Sequence, residues 1–359
     1  MGPAIYDLAR LGATPEVLND FKPYESRGMM LARVASAIRE EYRLYAAAGE
    51  FRAKPAGALL YAAGSTEGLP VVGDWVAARA IGPAEAIVHH ILQRRTKFSR
   101  RAAGSRAGEQ VIATNIDIAM IVCGLDHDFN LRRIERYLTL AIESGAGAVL
   151  VLNKADLLDD ADLIAGRVRQ LAGDAPVLSI SAQTGAGLTT LNEFMTPGTT
   201  IVLLGSSGAG KSTIINRLIG EERQETQAVR EHDSRGRHTT TRRELIPLAS
   251  GAVVIDTPGL RELQLWASEE SLNESFDDVA AVAAGCRFRD CSHTGEQGCA
   301  ILPALDSGAL DPGRWSSYLK LRAELRRLQV LTERTAATVE KQKWKRLTKA
   351  LRSHPKYTR

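Results

Sequence analysis

Four short apolar runs, each ending in a polar or glycine-rich motif, constrain this chain more than anything else in it. Ala148-Val149-Leu150-Val151-Leu152 leads into Asn153-Lys154-Ala155-Asp156, and Pro176-Val177-Leu178-Ser179-Ile180 into Ser181-Ala182-Gln183. Ile201-Val202-Leu203-Leu204 leads into Gly205-Ser206-Ser207-Gly208-Ala209-Gly210-Lys211-Ser212, and Ala252-Val253-Val254-Ile255 into Asp256-Thr257-Pro258-Gly259. From about Thr114 such runs alternate with helical stretches, one of them opened by Asn130 ahead of Leu131, Ile134, Leu138 and Ile142. Strand–helix alternation specifies a parallel sheet with helices on both faces. In the usual arrangement of such motifs the glycine loop leads and Asn-Lys-x-Asp trails; here that order is circularly permuted.

Each motif has a chemical reason. Gly205-x-x-x-x-Gly210-Lys211-Ser212 stands between a strand-like run and the helical stretch Thr213–Leu218, the context a phosphate loop requires. Its glycines let backbone N–H groups of Ser206, Ser207, Gly208, Ala209 and the helix start through Thr213 face phosphate oxygens. Lys211 supplies a point charge, and the Ser212 hydroxyl is a magnesium ligand. The Asp156 carboxylate can accept from the ring N–H and the amino group of guanine, whereas adenine would leave it unpaired. Asn153 would orient that loop, the Lys154 stem would lie along the base, and Ser181 and Ala182 would back it.

Asp256 ends a strand, where a carboxylate can hold magnesium through water, and the Gly259 N–H can sense a γ-phosphate. The charged stretch from Glu221 to Thr241 reads as a switch loop in which Thr240 or Thr241 closes on magnesium. Leu260 follows Gly259, where a glutamine would orient the attacking water, so unaided hydrolysis should be slow. A partner must then position the water, or another residue such as His238, whose other reading is a solvated loop histidine.

Of four cysteines, Cys286, Cys291 and Cys299 fall in one short segment with His293 between them. Three thiolates and one imidazole make a closed, structural zinc site; a disulfide would leave one cysteine over, and no secretory signal points to an oxidising compartment. Cys123, at the end of the apolar run that begins Ile118–Val122, reads as a buried small hydrophobe. At 359 residues the chain should hold several cores, with 44% hydrophobic and 25% charged residues as in ordinary globular proteins. No apolar run suggests a membrane helix, so a cytoplasmic protein is expected. The net charge of +4 says little, but its distribution says more. The end from Lys341 to Arg359 is basic without an acid and carries Trp344 and Tyr357, and a second cluster runs from Arg94-Arg95 to Arg100-Arg101 and Arg106. Both suit RNA backbone contacts.

The permuted motifs, together with Val72-Gly73-Asp74-Trp75-Val76, Asp128-Phe129-Asn130-Leu131-Arg132-Arg133, Gly236-Arg237-His238-Thr239-Thr240-Thr241 and the Cys/His cluster, resemble the ribosome small-subunit-dependent GTPase A family across nearly the whole chain. The least family-like part is the opening, an extension over 1–28; the resemblance implies an OB-fold-like β-barrel over 29–112, a circularly permuted α/β P-loop GTPase domain over 113–270, and a mainly helical zinc-binding domain with a basic tail over 271–359. It implies GTP hydrolysis stimulated by the small ribosomal subunit, whose late maturation the family assists, with one Zn2+ and with Mg2+ accompanying GTP. Partners would be the small subunit, its rRNA and GTP or GDP, with no membrane and a monomeric chain. A GTPase acting on another RNA, a phosphate-loop enzyme acting on a small molecule, and an RNA scaffold with a vestigial site are the alternatives. Because the segment after Gly259 runs straight into the Cys/His region, nucleotide state is expected to be passed there.

Overall fold

The computed structural model describes residues 6–63, 68–101, 109–220, 243–256, 268–327 and 329–330. The Thr240 or Thr241 magnesium ligand, His238, Gly259, Leu260, Arg106 and the basic segment 341–359 lie outside the described residues. The chain divides into two compact units, residues 1–99 with 111–263 and residues 100–110 with 264–359.

The first unit opens with α1 (Pro15–Glu25), capped by the Thr14 side chain and burying Val17 and Phe21. Then come β1 (Met30–Ile38), β2 (Glu41–Ala46), β3 (Gly49–Pro55), α2 (Gly57–Ala63), β4 (Trp75–Gly82) and β5 (Glu85–Ile91). Pairing runs β1-β2-β3-β5-β4 and closes from β4 back onto β1, giving the OB-like barrel expected from the resemblance. β1 pairs with β2 along its length and with β4 over Met30–Arg33, and its register against β2 shifts between Val34 and Ser36, a bulge that bends the strand. Alternate residues Val34, Leu44, Phe51, Val76 and Val88 fill the interior. β6 (Lys97–Arg101) and β7 (Glu109–Thr114) pair as a ribbon.

The α/β part follows as β8 (Ile118–Gly124), α3 (Leu131–Ser144), β9 (Gly147–Asn153), α4 (Ala161–Leu171), β10 (Val177–Ser179), β11 (Thr200–Leu204), α5 (Lys211–Ile219), β12 (Glu244–Pro247) and β13 (Val253–Asp256). Its strand order is β10-β9-β8-β11-β13-β12, parallel except where β12 meets β13. α3 starts where the sequence placed it, with the Asn130 carboxamide accepting from the N–H groups of Arg132 and Arg133, and Gly145 ends it in the left-handed region at φ 78°. Met120, Val122, Val149, Val151, Leu203, Ile214 and Val254 form a core shared by sheet and helices. Cys123 is buried, as anticipated, and burial pushes its thiol up to about 12.

Barrel and α/β sheet are one continuous pairing network. Ser36 of β1 bridges to Glu244 of β12, and Arg43 of β2 pairs with the same Glu244. A buried polar joint lies beside this seam. Asp74 is fully buried and accepts from the Val71 N–H (2.8 Å), the Thr114 hydroxyl (2.7 Å) and Arg94 Nε and Nη2 (2.8 and 2.7 Å). Arg33, 1% exposed, donates to the carbonyls of Leu11, Gly73 and Asn115 and lies 5.3 Å from the Trp75 ring centre. Burial lowers the Arg33 guanidinium to about 10, opposed by the charges of Asp117 and Asp74. At Gly73, with φ 92°, a Cβ would lie 2.2 Å from the Thr114 carbonyl oxygen, so only glycine fits. The Val-Gly-Asp-Trp motif is therefore architectural. So is part of the basic cluster, since Arg94 holds Asp74 and Arg95 pairs with Asp117 at 3.0 Å. Each of those two side chains has an ion-pair partner within the protein.

The second unit holds α6 (Glu269–Ser275), α7 (Asp277–Ala284), α8 (Ile301–Asp306) and a helix over 312–327. Asp311 caps that last helix, its Oδ1 accepting from the Arg314 N–H at 2.7 Å. Leu272, Phe276, Val279, Ile301, Leu321 and Leu325 are buried. Arg314 stacks 4.1 Å over the Phe276 ring and pairs with Asp278 at 2.9 Å. No described helix is long and apolar enough to cross a membrane.

Candidate functional site

The parallel strands β8, β9, β10, β11 and β13 all end at one edge of the sheet, where ligands of open α/β sheets gather. Gly124 of β8 pairs with Asn153 of β9, and Ser179 of β10 with Leu152. Val202 of β11 pairs with Ile255 of β13, so Asp256 ends its strand beside the start of the phosphate loop. The permuted order in the chain thus becomes spatial adjacency at this edge.

The loop from Gly205 to Gly210 has φ values of 145°, 81° and 95° at Gly205, Gly208 and Gly210, and Lys211 begins α5. A Cβ at Gly205 would lie 2.2 Å from the Val122 carbonyl oxygen, and one at Gly210 would lie 2.0 Å from Asn153 Nδ2. Both glycines are fixed by sterics as well as by φ. Ser212 and Thr213 occupy the first turn, whose N–H groups have no helical partner and favour an anion. Lys211 Nζ donates to the carbonyls of Gly205 (2.8 Å) and Ser206 (2.6 Å), which keeps its charge over the loop.

Asn153 joins the two halves. Its Nδ2 donates to the Ala209 carbonyl at 2.8 Å, and its Oδ1 accepts from the Ala182 N–H at 2.9 Å. It is 2% exposed, and Ser181 and Ala182 are each 1% exposed, so this wall is buried. Lys154 sits in the left-handed region at φ 65° and starts a 3-10 turn, Ala155–Leu157, that carries Asp156 outward at the exposed edge.

Of two carboxylates here, Asp126 escaped the sequence reading and Asp128 entered it only as the start of a motif. Asp126 pairs with Lys154 and accepts from the Asp128 N–H at 3.0 Å; Asp128 pairs with Arg133 at 2.5 Å. Burial opposes the Asp126 charge, but the Lys154 bond and the Asp128 N–H outweigh it and hold the carboxyl below the usual range. Arg133 first, then the Ser206 hydroxyl, likewise hold Asp128 low against burial. The available signal was position: an acid two residues past an apolar run whose neighbouring strand ends in Asn-Lys-Ala-Asp.

In the second unit Cys286, Cys291, His293 and Cys299 converge, with all four ligand atoms within 4.8 Å of one another. His293 Nδ1 lies 3.5 Å from Cys286 Sγ and 3.6 Å from Cys299 Sγ. Metal–sulfur and metal–nitrogen bonds of about 2.3 and 2.0 Å at a tetrahedral angle require a sulfur–nitrogen separation of about 3.5 Å. The donor set therefore fits one metal ion. The Ala300 N–H donates to Cys286 Sγ at 3.3 Å, and Trp315 meets the His293 ring edge-on at 5.5 Å, supporting two ligands from outside the cluster.

The model of the RsgA GTPase family matches residues 91–266. A small ribosomal subunit biogenesis GTPase RsgA of Opitutus terrae is 48% identical over 96% of this chain and 97% of its own. The chain belongs to the RsgA GTPase family. Among solved structures, YjeQ from Thermotoga maritima aligns with a TM-score of 0.62 at 24% identity, over 83% of this chain and 98% of its own. YloQ, described as a circularly permuted GTPase, aligns at 0.59 and 22% identity, over 83% of this chain and 95% of its own. These two likenesses establish the fold.

Proposed function

We propose that this protein is a GTP-hydrolysing switch that binds the small ribosomal subunit and assists its late maturation, with turnover stimulated by that subunit. The observation that carries the reading is Asn153, which ties the guanine-type motif to the phosphate loop in a chain whose RsgA relatives are named for small-subunit biogenesis. Gly205 to Thr213 hold the phosphates, with Asn153, Lys154, Asp156, Ser181 and Ala182 around the base. Lys211 offsets phosphate charge, and Asp156 selects guanine. Ser212, Asp256 through water, and Thr240 or Thr241 would hold a Mg2+ that neutralises charge on the phosphates. Gly259 would sense the γ-phosphate. His238 or a group of the subunit would orient water in place of Leu260.

Cys286, Cys291, His293 and Cys299 would hold one structural Zn2+, since four protein ligands leave no open position. The OB-like barrel and the basic tail would contact rRNA in a monomeric, cytoplasmic protein. The test is GTP turnover by the purified protein alone, with small subunits, with large subunits and with free RNA. Stimulation by small subunits alone is expected; turnover indifferent to all of them would overturn the assignment.

A further inference from the structure

Arg217 stands in the last turn of α5, on the helix that begins with Lys211. Its guanidinium points away from the phosphate loop to the other motif. Nε donates to the Ala182 carbonyl at 3.2 Å and Nη2 to the Gln183 carbonyl at 2.7 Å. Ala182 is thereby held through both of its backbone polar groups, its N–H by Asn153 and its carbonyl by Arg217. We propose that Arg217 is a positioning residue for the guanine base, fixing the loop Ser181-Ala182-Gln183 at a set distance from the phosphate helix. The inference rests on the reading that this site binds GTP.

The residue type suits the task. Two donors in a rigid fork reach two successive carbonyls, which a lysine ammonium on a flexible stem cannot match. Topology gives the bond its leverage. From Gln183 the chain passes through the 3-10 turn Leu188–Phe194 into β11, the phosphate loop and α5, so Arg217 closes this segment back onto its own start. Closing it before ligand arrives removes an ordering cost that binding would otherwise bear. Base and phosphates of one nucleotide then meet loops already at the right separation.

The experiment uses the full-length protein with Arg217→Ala, Arg217→Gln and Arg217→Lys. GDP affinity is measured alongside pyrophosphate affinity, with GTP turnover in the presence of small subunits. Losing both bonds is expected to weaken GDP binding and raise KM for GTP about tenfold. Pyrophosphate, which needs only the phosphate loop, should bind as before, and kcat should stay within about twofold. Arg217→Gln should resemble the alanine variant, and Arg217→Lys should recover part of the loss. Equal GDP affinity in variant and parent would overturn the proposal. So would a matching loss of pyrophosphate binding, which would make Arg217 a support of α5 itself. A parent protein that binds adenine nucleotides as well as guanine ones would instead refute the GTP reading, and the positioning role with it.

Discussion

At the scale of single residues, the sheet edge proposed to bind the nucleotide is built from side chains that hold other residues in place. Asn153 spends both ends of its amide on backbone groups of Ala209 and Ala182, and Asp126 spends one carboxylate oxygen on Lys154. The Asp126 pair is mostly buried, with the two side chains 16% and 25% exposed, so it is screened far less than a surface pair. Asp126→Asn should cost about 1–2 kcal/mol of GDP affinity at pH 7 by freeing the Lys154 side chain. The pH dependence follows from the direction of the shift. A carboxyl held below its ordinary value contributes fully above that value, near pH 4, and loses its contribution as pH falls through the lower folded value. The difference in stability between parent and variant should therefore be flat from pH 8 to about 5 and vanish in the acid limb. Denaturant unfolding across pH checks this; a gap that widened on acidification would refute the role assigned to the ionised pair.

At the scale of elements, the joint between barrel and sheet depends on Asp74 and Arg33, neither of which touches the nucleotide edge. Asp74 receives four hydrogen bonds with no exposed surface, so removing it leaves Arg94 with a poorly solvated charge and the Thr114 hydroxyl without its acceptor. Asp74→Ala should destabilise the first unit by about 3 kcal/mol, read as a shift in the urea midpoint of that unit's transition. A shift under about 0.5 kcal/mol, the range of an ordinary surface change, would show that the joint is dispensable. These contacts also mark where sequence reading runs out. Asn130 was legible as a helix start, and the phosphate loop as a strand–loop–helix, because the partners lie within a few residues. The Leu11, Gly73 and Asn115 carbonyls around Arg33 are 22, 40 and 82 positions away in the chain, and no local pattern encodes them. The ion-pair partners of Arg94 and Arg95 were not legible either, because charge is visible in a sequence and its partner is not. The opening residues, an unassigned extension by sequence, fold as α1 against β1 and β4, with the Leu11 carbonyl as an anchor for Arg33.

At the scale of the whole molecule, nucleotide and metal chemistry are segregated. Every described residue assigned to GTP belongs to the first compact unit, and all four metal ligands belong to the second. The second unit is small, and its helices α6, α7 and α8 span only 7, 8 and 6 residues, too short to persist without tertiary support. Its ligand loop also holds His293 at φ 60°, a conformation a non-glycine residue adopts at a cost. A metal ion bound by three thiolates contributes on the order of 10 kcal/mol to folding such a module, enough to carry both burdens. Cys291→Ser, or chelation under reducing conditions, should therefore remove about one equivalent of zinc and lower helicity. GDP affinity should stay within about twofold, because no metal ligand belongs to the unit that carries the nucleotide residues. If the metal module also takes part in docking, small-subunit stimulation should fall toward the unstimulated rate in the same preparation. Metal analysis, circular dichroism and turnover measured together decide it. Zinc loss with helicity and stimulation intact would make the cluster a passenger, and zinc loss that also abolished GDP binding would show that nucleotide affinity depends on the metal module.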